Sequence, residues 1–265
     1  FTLQYKNTNS IKHFHPSFRS AFSQITQTLT TTLTELGSDV AIVTEKASYN
    51  GAMKFAENVT NGREINSEFG RAAALGNDVK SEAQVKDCVS RVAELFGGID
   101  VVVDASLSDC SLWFDENGDR KQATDELEEL NQSVILIQGA LPFLTGRKKG
   151  RIISMTQGNP CAQESSNCRQ TSLLKKTREL VASVGRDIAT SGVTINALEL
   201  GTTEEFLLAR YPNQPSIKEA LSELNTDCVR ELIEARDVAN VVAFLASPMS
   251  SAINGQVIVL DKGLN

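Results

Sequence analysis

Two histidines and five cysteines are the residues of this chain whose types most readily serve metal or redox chemistry. His13 and His15 flank Phe14, a spacing at which two imidazoles could share a metal ion, but no carboxylate or thiol lies close to them in the sequence. The cysteines are odd in number and form no CxxC pair, so neither a zinc site nor a disulfide framework is predicted. This cysteine usage favours the cytoplasm or another reducing compartment. The cysteines are Cys88, Cys110, Cys161, Cys168 and Cys228.

A glycine-rich turn is the other feature that would carry chemistry, because a pyrophosphate must approach the backbone at a helix N-terminus. Neither GxGxxG nor GxxxGxG occurs anywhere in the 265 residues. The net charge of -7 argues against nucleic acid or an anionic membrane as the main partner. No run approaches eighteen apolar residues, so no membrane span is predicted. The chain begins at Phe1 rather than Met, and we expect that a preceding segment was removed or omitted.

Helices and strands alternate along the sequence from residue 25 onward. Ile25, Leu29, Leu33 and Leu36 recur at helical spacing, which indicates an amphipathic helix despite the many threonines. Ser81, followed by Gln84, predicts a capped helix that Gly97-Gly98 ends. Further helices are predicted over Asn50–Val59, Thr124–Leu144, Ser166–Thr190 and Asp237–Ala246, and strands over Asp39–Thr44, Arg71–Leu75, Ile99–Asp104, Arg151–Met155, Val193–Leu198 and Gln256–Leu260.

This alternation predicts a doubly wound α/β fold, a parallel sheet between two helical layers. The length suits one large domain better than two small ones. We assign residues 19–265 to this domain and residues 1–18 to an N-terminal extension, in which Pro16 disturbs the expected first strand.

Several segments resemble the short-chain dehydrogenase/reductase family, especially its 3-oxoacyl-[acyl-carrier-protein] reductase branch. The similarity runs from about residue 37 to the end, with several family motifs in a fixed order. It implies a Rossmann-like fold and NAD(P)-dependent reduction of a carbonyl group. The segments are Phe96–Val101, Gly150–Ile153, Ser191–Ala197, Asp237–Ser247 and Gly255–Leu264.

The family's dinucleotide-binding positions hold unusual residues in this chain. Alignment back from Gly37 places its three turn glycines at Ser20, Gln24 and Thr26, whose side chains would occupy the space that a pyrophosphate needs. Asp104, where the family continues with an Asn-Asn-Ala-Gly motif, would bring negative charge close to the ribose and phosphates.

Two further acidic residues align with the cofactor region. Asp78 either accepts a hydrogen bond from an adenine or caps the helix that starts near Ser81. Glu45 would favour NAD over NADP by repelling a 2′-phosphate if either bound, but a solvated surface role is the better explanation of this residue on its own.

The resemblance also locates the catalytic positions. The family moves a proton through a Tyr whose pKa is lowered by a Lys four residues later, while a Ser holds the substrate carbonyl. These positions hold Ser166, Gln170 and Gln157, and none of these side chains can replace the phenol or the ammonium group. The structural Asn of the family falls at Glu129, or at Asn131 in a different register.

A relocated Tyr–Lys pair is not found either. None of Tyr5, Tyr49 and Tyr211 has a lysine four residues later. Lys218 follows Tyr211 by seven residues, but Pro212 and Pro215 prevent the single helix that such a pair requires.

Three functions remain open at this point. We favour a pseudoenzyme, a non-catalytic binding, scaffolding or regulatory subunit without a cofactor, because several groups on one reaction path are lost together. The alternatives are an NAD(H)- or NADP(H)-dependent 3-oxoacyl reductase with unconventional residues, and a sensor or enzyme for another ligand in the old crevice.

We expect the chain to be a homo-oligomer or to pair with an active relative. The family associates through two long helices and the last strand, and both helices carry an apolar stripe that could instead serve only the chain's own core. The stripes are Leu130, Val134, Ile137 and Leu141 on the first helix, and Leu173, Thr177, Leu180, Val184 and Ile188 on the second.

Overall fold

A computed structural model describes residues 2–3, 23–44, 48–61, 69–76, 81–105, 126–146, 149–158, 169–214, 216–223 and 231–263. Its elements, in chain order, are β1 (Thr2–Leu3), α1 (Gln24–Glu35), β2 (Val40–Thr44), α2 (Tyr49–Asn61), β3 (Ala72–Gly76), α3 (Glu82–Phe96), β4 (Val101–Asp104), α4 (Glu126–Thr145), β5 (Arg151–Gln157), α5 (Arg169–Asp187), β6 (Thr194–Leu200), α6 (Glu204–Arg210), α7 (Ile217–Glu223), α8 (Ala235–Ala246) and β7 (Val257–Leu260). The predicted boundary at residue 18 falls outside the described residues and stays a prediction.

The described strands form one sheet in the order β3-β2-β1-β4-β5-β6-β7. β2 pairs parallel with β3, and β4 to β7 pair parallel in succession. This confirms the predicted doubly wound fold. β1 is the exception, because Thr2–Leu3 runs antiparallel to both β2 and β4 in the centre of the sheet. Two residues show no periodicity, so the sequence pattern does not reveal this strand.

Hydrophobic side chains from the two faces of the sheet form two cores, which produce the predicted three layers. On one face, Leu29 and Leu33 of α1 and Val242 of α8 pack against β4, β5 and β6. On the other face, α3, α4 and α5 cover the same strands through residues such as Val85, Ile137 and Val181. Strands buried on both faces read as continuous apolar runs, which is the pattern seen in the sequence.

Local signals fix the ends of the helices that cover the sheet. The Ser81 hydroxyl accepts a hydrogen bond from the Gln84 amide at the start of α3, as predicted. Gly97 ends that helix at φ 78°, a left-handed conformation that glycine adopts without steric cost. At α8, Glu234 and Asp237 form a capping box.

Within the described residues, no group of three or more histidines, cysteines or acidic residues is arranged to hold a metal ion. His13 and His15 lie outside this part of the chain. No helix among the described residues has the length and apolar character needed to cross a membrane.

Candidate active site

The carboxyl ends of β4, β5 and β6 define the candidate site, because open α/β sheets bind their ligands at this edge. α1 is followed directly by β2, so the N-terminus of α1 lies at the carboxyl edge of the sheet. α6 begins four residues after the end of β6 and lies at the same edge. The start of α1 is where the family would bind a pyrophosphate.

Side chains occupy two of the backbone donors at the start of α1. Ser23 is the N-cap, and its Oγ accepts from the Thr26 amide at 3.2 Å. The Gln24 amide donates to the carboxylate of Glu205, which comes from α6. The predicted cofactor positions Gln24 and Thr26 are thus brought to this helix start, and Ser20 lies outside the described residues.

Thr26 is a second side chain at this helix start, at a position that the sequence alignment predicts to match a glycine of the family. Its side chain is buried, and its hydroxyl accepts from the Ser23 hydroxyl at 3.3 Å. A dinucleotide pyrophosphate needs both open amides and close approach of the backbone. At the start of α1, the Gln24 and Thr26 amides are engaged and Thr26 carries a buried side chain, so these described residues fit the cofactor group poorly.

Asp104 ends β4 and is only 4% exposed. The hydroxyl of Ser133 on α4 donates to its Oδ2 atom at 2.6 Å. Val103 packs in the core beneath α1 and α8, and successive strand residues face opposite sides. Asp104 therefore faces α4, on the side of the sheet away from α1.

Gln157, which the sequence alignment predicts to match the family's Ser, is fully buried at the end of β5. Its Nε2 atom donates to the carbonyls of Leu200 at 3.1 Å and Gly201 at 2.8 Å. The Gly158 amide also donates to the Leu200 carbonyl, at 2.6 Å. The side chain therefore joins the ends of β5 and β6. The neighbouring Thr156 hydroxyl is also buried, so it is not exposed for a substrate.

A charged pair that the sequence analysis missed lies beside these residues. Glu199 on β6 is buried, and Arg178 of α5 donates to its Oε2 from Nη2 at 2.5 Å and from Nε at 3.2 Å. The sheet register sets Glu199 opposite Thr156. The two charged residues are 21 positions apart, so no local spacing indicates their contact.

The other predicted site residues are only partly described. Gln170 lies in the first turn of α5 and Glu129 lies in α4, without described side chains. Asn131 is exposed on α4. Ser166, Glu45 and Asp78 lie outside the described residues.

Tyr211 and Lys218 belong to different elements, as predicted. Tyr211 ends α6, and its hydroxyl donates to the Glu223 carbonyl at 3.3 Å. Lys218 lies on α7. The two residues therefore share no helix and form no catalytic pair of the family type.

Comparison with known proteins gives a consistent family. A family profile described as Enoyl-(Acyl carrier protein) reductase matches residues 23–265. The chain is 27% identical to the 3-oxoacyl-[acyl-carrier-protein] reductase FabG of Staphylococcus epidermidis over 86% of this chain and 94% of that one. It is 28% identical to the Staphylococcus aureus reductase over 88% and 90% of the two chains.

Solved structures agree with this result. A short chain dehydrogenase from Burkholderia cenocepacia J2315, in complex with NADP, superposes with a TM-score of 0.69 at 25% identity over 91% of this chain and 93% of that one. A dehydrogenase/reductase from Sinorhizobium meliloti 1021, at 20% identity and the same TM-score over 91% and 90%, supports the fold. These proteins include one that carries a nicotinamide cofactor, so the comparisons do not support the expectation that no cofactor binds.

Proposed function

We propose that this chain, which belongs to the short-chain dehydrogenase/reductase family, is a non-catalytic member of it. In this proposal it acts as a binding, scaffolding or regulatory subunit. The observation that carries this proposal is the hydrogen bonding of the Gln157 side chain. Its side-chain amide nitrogen donates to backbone carbonyls at the ends of β5 and β6, so its N–H groups are used within the protein and are not offered to a substrate carbonyl. The residue at the family's Ser position therefore has a structural role.

The two remaining catalytic positions support the same conclusion. Alignment places Ser166 and Gln170 where the family has its Tyr and Lys. Moving the alignment one helical turn along α5 places Gln170 and Leu174 there instead. Neither alignment supplies a phenol of lowered pKa or an ammonium group beside it, so the proton transfer of the family has no donor in either register.

The start of α1 argues in addition against a bound nicotinamide dinucleotide. The Gln24 and Thr26 amides are engaged by Glu205 and Ser23, and the buried Thr26 side chain stands where backbone must approach the phosphates. We therefore expect no binding of NADH or NADPH with a Kd near 1 µM, which is a free energy of about −8 kcal/mol.

The test is a direct assay of the purified chain with a 3-oxoacyl thioester and either NADH or NADPH, following the absorbance of the reduced cofactor. The Staphylococcus epidermidis reductase, under identical conditions, is the positive control. We expect no turnover by this chain and no calorimetric signal with either cofactor at micromolar concentrations. Turnover that a substitution at the carboxyl edge abolishes would refute the proposal.

The second candidate is an NAD(P)H-dependent 3-oxoacyl reductase with unconventional residues. The comparisons favour this candidate, since the similarity covers 94% of the Staphylococcus epidermidis reductase. It would require a proton donor other than the family's tyrosine. The same assay separates the two candidates, because only the reductase consumes cofactor in a substrate-dependent way.

A non-catalytic subunit acts through its partners. We propose that the chain associates with itself or with an active relative. The cysteine usage of the sequence favours the cytoplasm or another reducing compartment for this association.

A further inference from the structure

Glu205 lies on α6 but binds the first turn of a different helix. Its carboxylate accepts a hydrogen bond from the amide of Gln24, the first residue of α1. The two residues are separated by 181 positions in the sequence. We infer that Glu205 is an internal anion that occupies the position at the N-terminus of α1 where a pyrophosphate would otherwise bind, an autoinhibitory contact that deepens the proposed function and rests on it.

The electrostatics of α1 explain why an anion is held there. The amides of the first turn and the helix dipole make the start of a helix partly positive, and a carboxylate complements this charge. α1 has no acidic residue in its own first turn. α3 and α8, in contrast, carry Glu82 and Asp237 in theirs. Glu205 therefore supplies from another element the negative charge that the α1 sequence lacks.

The anchoring of α6 holds Glu205 in place. The Thr203 hydroxyl caps α6 by accepting from the Phe206 amide at 3.2 Å, and the side chains of Phe206 and Leu207 are buried. Just before α6, the Thr202 carbonyl accepts from the Ile233 amide at 2.8 Å. These contacts fix the α6 backbone on both sides of Glu205 and keep its side chain within reach of the start of α1.

The Glu205 carboxylate and a pyrophosphate would compete for the Gln24 amide. They are also both anions, so each would repel the other at this site. Binding of a pyrophosphate or a dinucleotide must therefore displace Glu205, which lowers the apparent affinity. Removing the carboxylate should raise it.

The experiment compares wild type, Glu205→Ala, Glu205→Gln and the control Glu204→Ala by calorimetric titration with inorganic pyrophosphate at low ionic strength. Glu204 precedes Glu205 on α6, so its variant makes the same change in net charge beside the contact. We expect Glu205→Ala to bind pyrophosphate at least about tenfold more tightly than wild type, and Glu204→Ala to match wild type within about twofold. Equal affinity of wild type and Glu205→Ala would overturn the inference.

Amide hydrogen exchange at Gln24 provides a second measurement that needs no ligand. We expect exchange at this amide to be about tenfold faster in Glu205→Ala than in wild type, because the hydrogen bond is lost. The Glu204→Ala variant should leave it unchanged. An unchanged rate in Glu205→Ala would contradict the contact itself.

Glu205→Gln covers the case in which Glu205→Ala does not fold. The amide side chain keeps the size and the acceptor oxygen but not the charge, and we expect this variant to bind pyrophosphate more tightly than wild type. Wild-type affinity in this variant would count against the inference. A different result would refute the proposed function, namely turnover of an oxoacyl thioester by the wild-type chain. That result does not depend on how the Glu205 variants bind pyrophosphate.

Discussion

Polar side chains at the carboxyl edge of the sheet are held by partners from neighbouring elements. Gln157 joins the ends of β5 and β6, Ser133 holds Asp104, and Arg178 pairs with Glu199. Buried polar groups are costly unless they are paired in this way. These residues therefore contribute to stability in the region where related enzymes carry out chemistry.

Replacement of Gln157 by serine, the residue that the alignment predicts for the family at this position, should lower the stability of the fold. Gln157→Ser removes the amide that donates to the Leu200 and Gly201 carbonyls and leaves a cavity. We expect the free energy of unfolding to fall by about 1–3 kcal/mol, measured by denaturant titration. Gln132→Ser, on the exposed surface of α4, is the control and should change it by about 0.5 kcal/mol or less. An unaltered stability of Gln157→Ser would show that the bridge is unimportant.

The sequence could predict part of this site and not the rest. The sequence alignment selects Gln157, Thr26 and Asp104, because it predicts a different family residue at each position, and this assignment stays a prediction. The contacts of Glu205 with Gln24 and of Arg178 with Glu199 join residues far apart in the chain. No local spacing records such contacts, since they depend on how helices are set against the sheet.

At the scale of elements, close packing between helices depends on a few small residues. Gly139 of α4 faces α3, and a Cβ added there would lie 2.4 Å from Cγ1 of the buried Val85. No shift of a flexible side-chain end can relieve this contact, because the added Cβ would also lie 2.8 Å from the Cβ of Val85. The distance between α3 and α4 therefore requires a glycine.

We expect Gly139→Ala to lower the free energy of unfolding by about 1–3 kcal/mol through overpacking, although alanine is the better helix former. Gly51→Ala is the matched control, because Gly51 is exposed in α2 and a Cβ added to it would meet no neighbouring atom within 4 Å. This control should raise the free energy of unfolding by about 0.5 kcal/mol. Thermal and denaturant unfolding measure both, and equal effects of the two substitutions would contradict the packing argument.

Elements with a clear period can be predicted from the sequence close to their observed bounds, whereas irregular ones cannot. The apolar pattern predicts a helix over Thr124–Leu144, and α4 is observed over Glu126–Thr145. The strand predicted over Arg151–Met155 is longer in the structure, where β5 continues to Gln157 because Thr156 and Gln157 keep pairing with β6. α6 and α7 have seven residues each, which is too short for a helical period to stand out.

At the scale of the whole molecule, the apolar stripes of α4 and α5 pack largely within the chain. Ile137 and Ile188 are buried in the core on the face of the sheet that α3, α4 and α5 cover. Leu141, Leu180 and Val184 pack against this core. The stripes therefore say little about association. Three of the five large apolar side chains exposed among the described residues lie near the C-terminus, where Phe244 of α8 and Val259 of β7 are each 39% exposed and Met249 between them is 81% exposed. The other two are Met53 of α2 and Leu95 of α3.

We expect the chain to associate through α8 and β7. β7 is an edge strand of the described sheet, and an edge strand with exposed apolar side chains favours pairing with another chain. For a homo-oligomer, light scattering of the chain alone at micromolar concentration should give a multiple of 28.7 kDa. For a heteromeric assembly, light scattering of a mixture with an active relative should give a particle that contains both chains. Val259→Asp and Phe244→Asp should each shift the particle toward the monomer, because a charge buried in an interface is costly.

Leu95→Asp, on the exposed face of α3, is the control and should leave the mass unchanged. A stable monomer alone and beside an active relative would contradict association altogether, and loss of the oligomer in Leu95→Asp alone would place the interface on α3.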